Sequence, residues 1–189
     1  MSFNRRVLPL VALLVAAAAW GSTVVVAKGA YAAMTPADLL ISRLLLTAIC
    51  LIPPFLPHLR MRWETCLQGI VLGVIFNSGL ALQMVGLEHT PPSLSGFITA
   101  SYVVFTAVLN PLLLKQRTTR RTWMAIALTV VGISILAMGH GGGDASFGFG
   151  AALTLVSAVF FALHIVLLGR WVQPETVQSL TLMQALSGG

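Results

Sequence analysis

Seven residues of this chain are candidates for chemistry: Trp20, Arg43, Asn77, Tyr102, Phe161, His164 and Gln184. Each lies within a long apolar run. An ionisable side chain at the centre of a bilayer costs roughly 2.5 kcal/mol or more on insertion scales, so it needs a reason to be there. Arg43 stands one to two turns into its run, roughly 9 Å from the start at 1.5 Å per residue. Two roles stay open for it. Its long stem can snorkel to the outer interface, or it can face a wet cavity and hold an anionic group such as a carboxylate. His164 is the one histidine at useful depth; it can relay protons or be a satisfied structural residue. Asn77 and Gln83 can bind a solute or hydrogen-bond a neighbouring helix. Trp20 lies too deep for an interfacial aromatic belt, and its neighbours Gly21, Ser22 and Thr23 are small, which suits cavity lining and close packing equally.

Other chemistries lack their residues. The five acidic residues include none that is plainly mid-membrane, so no carboxylate for proton coupling stands out. His58, Glu64, Glu88, His89, His140 and Asp144 are scattered over opposite sides, which argues against a membrane-embedded enzyme. Cys50 and Cys66 form no Cys-x-x-Cys or His-spaced set, so no metal site is expected. No cofactor is implied.

The elements that must position the seven residues follow from composition. The chain has 189 residues, 57% hydrophobic and 8% charged. Soluble domains are about one-quarter charged, so the solvent expected here is a lipid bilayer. The net charge of +6 comes in short clusters between apolar runs. That is a membrane-topology pattern and excludes nucleic acid as a partner. A hydrocarbon core of about 30 Å takes roughly 20 apolar residues per helix. Runs at 7–27, 39–56, 67–87, 92–114, 123–138 and 149–169 qualify, and a seventh begins at 177. The expected fold is an all-α polytopic membrane protein with six complete transmembrane helices and a truncated seventh. Gly69 and Gly73 make a small-xxx-small pair suited to helix contact, and Asn110-Pro111 is expected to bend the fourth span.

Arg5, Arg6, Arg60, Arg62, Lys115, Arg117, Arg120, Arg121 and Arg170 fall on one side, against Lys28 and Arg43 on the other. The positive-inside rule then puts the N-terminus in the cytoplasm. Arg5-Arg6 with the run behind it also resembles a signal peptide, but the run continues through Val26, longer than that needs. A glycine-rich connection at 140–145 follows five helices. It divides a first five-helix unit (1–139) from the start of a second (146–189). An odd helix count inserts the second copy upside down, the inverted-repeat logic of many transporters. Residues 8–46 laid on 149–187 match Trp20 with Phe161 and Arg43 with Gln184, each 23 positions apart.

Trp20-Gly21-Ser22-Thr23, Arg43, the stretch Gly86 to Thr90, the stretch Gly96 to Phe105, Leu112 to Arg117 and Gly132 occur in an order that resembles the EamA-type domains of the drug/metabolite transporter superfamily. The likeness covers nearly the whole chain. Gln116 stands where many such proteins have glutamate, and Ala125 where they often have glycine. The resemblance implies alternating-access transport of small organic solutes (metabolites, amino acids or drugs) in an inner or plasma membrane. The first unit would supply Trp20, Arg43, Asn77 and Tyr102 to a central cavity, and Phe161, His164 and Gln184 the facing wall. It also implies ten helices, so a chain that stops in the seventh is expected to be a fragment, or to be completed by self-association or a missing C-terminal half. The alternatives are a non-transport membrane protein, such as an intramembrane enzyme, and a non-functional fragment.

Overall fold

The computed structural model describes residues 3–55, 62–114, 119–139 and 148–187. The glycine-rich connection at 140–145 and the basic residues Arg60, Lys115 and Arg117 lie outside them. Every regular element is an α-helix among the described residues: α1 (Phe3–Ala30), α2 (Pro36–Phe55), α3 (Trp63–Glu88), α4 (Pro92–Ala100), α5 (Tyr102–Leu114), α6 (Arg120–Gly139), α7 (Phe149–Trp171) and α8 (Val177–Leu186). Among the described residues, five spans are long and apolar enough to cross a bilayer: α1, α2, α3, α7, and α4 with α5 taken together. Where a sixth span is expected, α6 is helical over 20 residues; where a seventh begins, α8 is helical over 10.

Local chemistry sets the helix ends. Thr35 and Asp38 form a capping box ahead of α2. The Thr35 hydroxyl donates to Asp38 Oδ2 at 2.7 Å, and the Asp38 amide donates to Thr35 Oγ1 at 3.2 Å. Pro36 and Pro92 occupy first-turn positions of their helices, where a missing N–H costs nothing. The fourth span is interrupted at Ser101, whose amide closes a tight bond to the Ile98 carbonyl at 3.0 Å. Just before it, the Thr99 hydroxyl bonds back to the Ser95 carbonyl at 2.8 Å, a contact that tends to bend helices. A bend of its own is expected at Asn110-Pro111 from the sequence. There α5 runs on through Pro111 to Leu114.

The packing centre is α3, which lies against α7 and α8. In lipid no hydrophobic force draws helices together, so close backbone approach over small residues does the work. On α7 the residues Ala151, Thr154, Ala158 and Ala162 recur at helical spacing and are all buried. Gly86 of α3 faces Gly150 of α7 so closely that a Cβ on Gly86 would lie 2.7 Å from the Gly150 carbonyl. Gly69 and Gly73 make the helix contact expected of them, against α8. A Cβ on Gly73 would come within 2.5 Å of the Gln184 carbonyl.

The helix α1 is fastened mainly at its far end. Lys28 Nζ donates to the carbonyls of Leu87 and Glu88 at 2.7 and 2.8 Å, capping the negative end of α3. The Tyr31 hydroxyl donates to the Met84 carbonyl at 2.9 Å. Burial, with Glu88 nearby, pushes that hydroxyl up to about 12, while Arg43 pulls the other way. Ala27, Met84 and Leu87 form the apolar cluster beneath. Lys28 is thus a helix clamp as well as a charge near the interface. Lys28→Met is expected to lower stability in detergent by about 1–2 kcal/mol, since bonds to a charged donor are the stronger kind. An unshifted melting temperature would show that water replaces the clamp.

Candidate functional site

Halfway along the helices the side chains of α1, α3 and α7 converge. Trp20, eighteen residues into α1, meets Phe76 of α3 at 6.0 Å between ring centroids, and Phe161 of α7 edge-on at 6.4 Å. Phe76 and Phe161 are 5.7 Å apart, and Phe76 and His164 are 5.0 Å apart. These spacings are favourable for aromatic pairs. Gly79, one turn above Phe76 on α3, leaves room for the Phe161 ring, which lies 3.1 Å from where a Cβ would stand.

Three cavities share this cluster. One, of about 230 Å³, has Trp20, Arg43, Asn77, Thr181 and Gln184 among its lining residues. A second, of about 350 Å³, includes Trp20, Phe76, Tyr102, Phe161 and His164. A third, of about 730 Å³, opens between α1 and α4 and includes Trp20, Gln83, Thr99 and Tyr102. Trp20 belongs to the wall of all three, and Phe76 separates the first two. All seven residues singled out in the sequence therefore border one cluster of cavities. The two pairs matched between residues 8–46 and 149–187 also meet: Trp20 touches Phe161, and Arg43 and Gln184 share a cavity.

The polar groups divide into satisfied and unsatisfied ones. His164 Nε2 and Gln184 Oε1 are hydrogen-bonded at 3.2 Å, joining α7 to α8. Asn77 does not reach a neighbouring helix. Its amide nitrogen donates to the Gly73 carbonyl of its own helix at 2.8 Å, and its Oδ1 is buried with no partner. Arg43 is half-buried and has no hydrogen-bond or carboxylate partner among the described residues. On α3 the amide that does bridge helices is Gln83, whose Nε2 donates to Thr99 Oγ1 of α4 at 2.8 Å, both residues being buried. Gln83→Leu should destabilise the fold by about 1–3 kcal/mol, because the buried Thr99 hydroxyl loses its donor. A double-mutant cycle with Thr99→Val would measure the coupling, and a zero value would refute it.

Phe76, Thr99 and Thr181 were not among the residues expected here. A phenylalanine in an apolar run carries no signal beyond its neighbour Asn77. The two threonines look like ordinary helix residues until α4 and α8 are placed. No group of three or more His, Cys, Asp or Glu side chains suited to a metal occurs among the described residues.

Apolar helices long enough to span a bilayer, meeting at cavities with an arginine, amides and a cluster of tilted aromatic rings, define a multi-pass membrane protein. The chain belongs to the EamA-like transporter family, which its residues 7–138 match. It is 32% identical over 164 residues to a protein of Archaeoglobus fulgidus described as an uncharacterized transporter. That match takes in 87% of this chain and 48% of the archaeal protein, so the chain spans about half the length of the relative. No solved structure matches it significantly.

Proposed function

We propose that the chain moves small organic solutes, such as metabolites, amino acids or drugs, across an inner or plasma membrane by alternating access around the Trp20 cavities. The observation that carries this reading is the meeting of Arg43, Asn77 and Gln184 with the Trp20, Phe76 and Phe161 rings at mid-span, on five different helices. Substrate sites of secondary transporters lie near the bilayer midplane, where repeats meet. The direction of the helices agrees with an inverted relation between units. The end of α1 and the start of α7 both lie at the Gly86 end of α3, so α1 and α7 run in opposite senses. With Arg62 before α3 and Arg170 at the end of α7 on the other side, that end faces outward and the N-terminus inward.

The element proposed to move is α1. It is held at the outer end by Lys28, Tyr31 and the Ala27 cluster, and a cavity of about 730 Å³ is lined by α1 and α4 together from Trp20 to Val25. Helices beyond these, from a longer polypeptide or a second copy, complete the transport unit. The test is flux of a broad solute panel into proteoliposomes, with a thermal-shift screen in parallel. A protein that moves none of the panel and is stabilised by none of it is not a transporter of this kind.

A further inference from the structure

We infer that the paired cavities select organic monocarboxylates with an aromatic or branched apolar body, over both the matching amino acids and the matching neutral amides. This inference rests on the transport reading for its biological sense, but it concerns binding and can stand or fall alone.

Among the described residues, the polar cavity carries one formal charge. Arg43 lines it with five N–H donors and no partner among the described residues. Away from water an unpaired guanidinium is costly, and a carboxylate matches its fork of donors with two parallel bonds. Gln184 adds a donor. Its Oε1 is taken by His164, which leaves the NH2 group of this lining residue as the donor. The described acidic residues, Asp38, Glu64, Glu88 and Glu175, are all exposed, and none lines either cavity.

That absence of a lining carboxylate decides between ligand classes. An amino acid bound through its carboxylate would bring an ammonium next to Arg43. Asn77, in the same lining, has a partnerless Oδ1, a neutral oxygen suited to a hydroxyl or an N–H group but not to balancing a full charge. Like charges held close in a low dielectric repel strongly. A neutral amide would leave the guanidinium unmatched. A monocarboxylate meets neither difficulty. Its body then lies against Trp20 and Phe76, the rings that line both cavities, with Phe161 packed behind them. Those rings suit a flat or branched apolar group.

The experiment uses three compounds with one body: 3-phenylpropanoate, phenylalanine and 3-phenylpropanamide. Their binding to the purified full chain is measured by equilibrium dialysis at neutral pH. The acid should bind at least about tenfold more tightly than either of the others, a typical consequence of pairing a desolvated charge. Arg43→Gln should erase the acid-over-amide preference, and Arg43→Lys should retain most of it. Equal binding of the three by wild-type protein overturns the inference without relying on any variant. So does failure of all three to bind, or a preference that survives in Arg43→Gln. Flux through proteoliposomes separates the two proposals. Transport without preference for the acid leaves the transporter reading intact and removes this one. Arg43-dependent binding of the acid with no flux of any solute does the reverse.

Discussion

Replacing Gly86 by leucine should unfold the α3–α7 packing, with a loss of about 3 kcal/mol or more. The argument is geometric. A Cβ at this position would stand 2.5 Å from Thr154 Oγ1 and 2.7 Å from the Gly150 carbonyl, and the second of these is backbone. A side-chain tip can swing aside, but a helix backbone moves only if the whole of α7 moves. Alanine tests the lower end of the same effect. It should cost about 1–2 kcal/mol, because its better helix propensity returns up to about 1 kcal/mol of the clash. Gly132 on α6 is the control: nothing lies within 4 Å of a Cβ there, so Gly132→Ala should be neutral or slightly stabilising. The measurement is thermal unfolding in a mild detergent. Wild-type stability for Gly86→Leu would mean that α3 and α7 are further apart than the glycine pair implies.

Trp20→Ala should weaken solute binding by roughly 30-fold, about 2 kcal/mol, as removal of a central aromatic anchor commonly does. The indole belongs to the wall of all three cavities and touches Phe76 and Phe161. It is also 41% exposed, so its loss should affect the site more than the fold. Trp20→Phe keeps a ring at that place and should retain much of the affinity. If tryptophan fluorescence changes when a solute binds, that change should vanish in Trp20→Phe, since Trp63 and Trp123 are exposed and Trp171 ends α7. Leu13→Ala, on the outward face of α1, serves as the control. Equal affinity in Trp20→Ala and Leu13→Ala would remove Trp20 from the site.

The sequence made the solvent and the helices legible. Runs of some 20 apolar residues, few charges and basic residues on one side determine that the chain crosses a membrane and roughly where. It also marked the polar exceptions. Arg43, His164 and the amides stand out because lipid makes each of them costly, and a glycine pair four apart on α3 advertises a helix contact. Those are signals about single positions in an apolar background, and local chemistry is enough to write them.

What only the tertiary structure decided is which exceptions meet. The periodicity that would identify a helix's inward face is weak here, because both lipid and protein neighbours accept apolar side chains. So Phe76 could not be told from the other phenylalanines, nor Gln83 chosen over Asn77 as the amide that bridges helices. The break in the fourth span at Ser101 was illegible for a similar reason: the Thr99 hydroxyl beside it donates to Ser95 of α4 and accepts from Gln83 of α3. The chain by itself determined that Trp20 and Arg43 needed an explanation. The crossing of α3 with α7 and α8 supplied it, because glycine and alanine at those contacts bring the helices close enough to put Phe161 against Trp20 and Gln184 across the same cavity from Arg43.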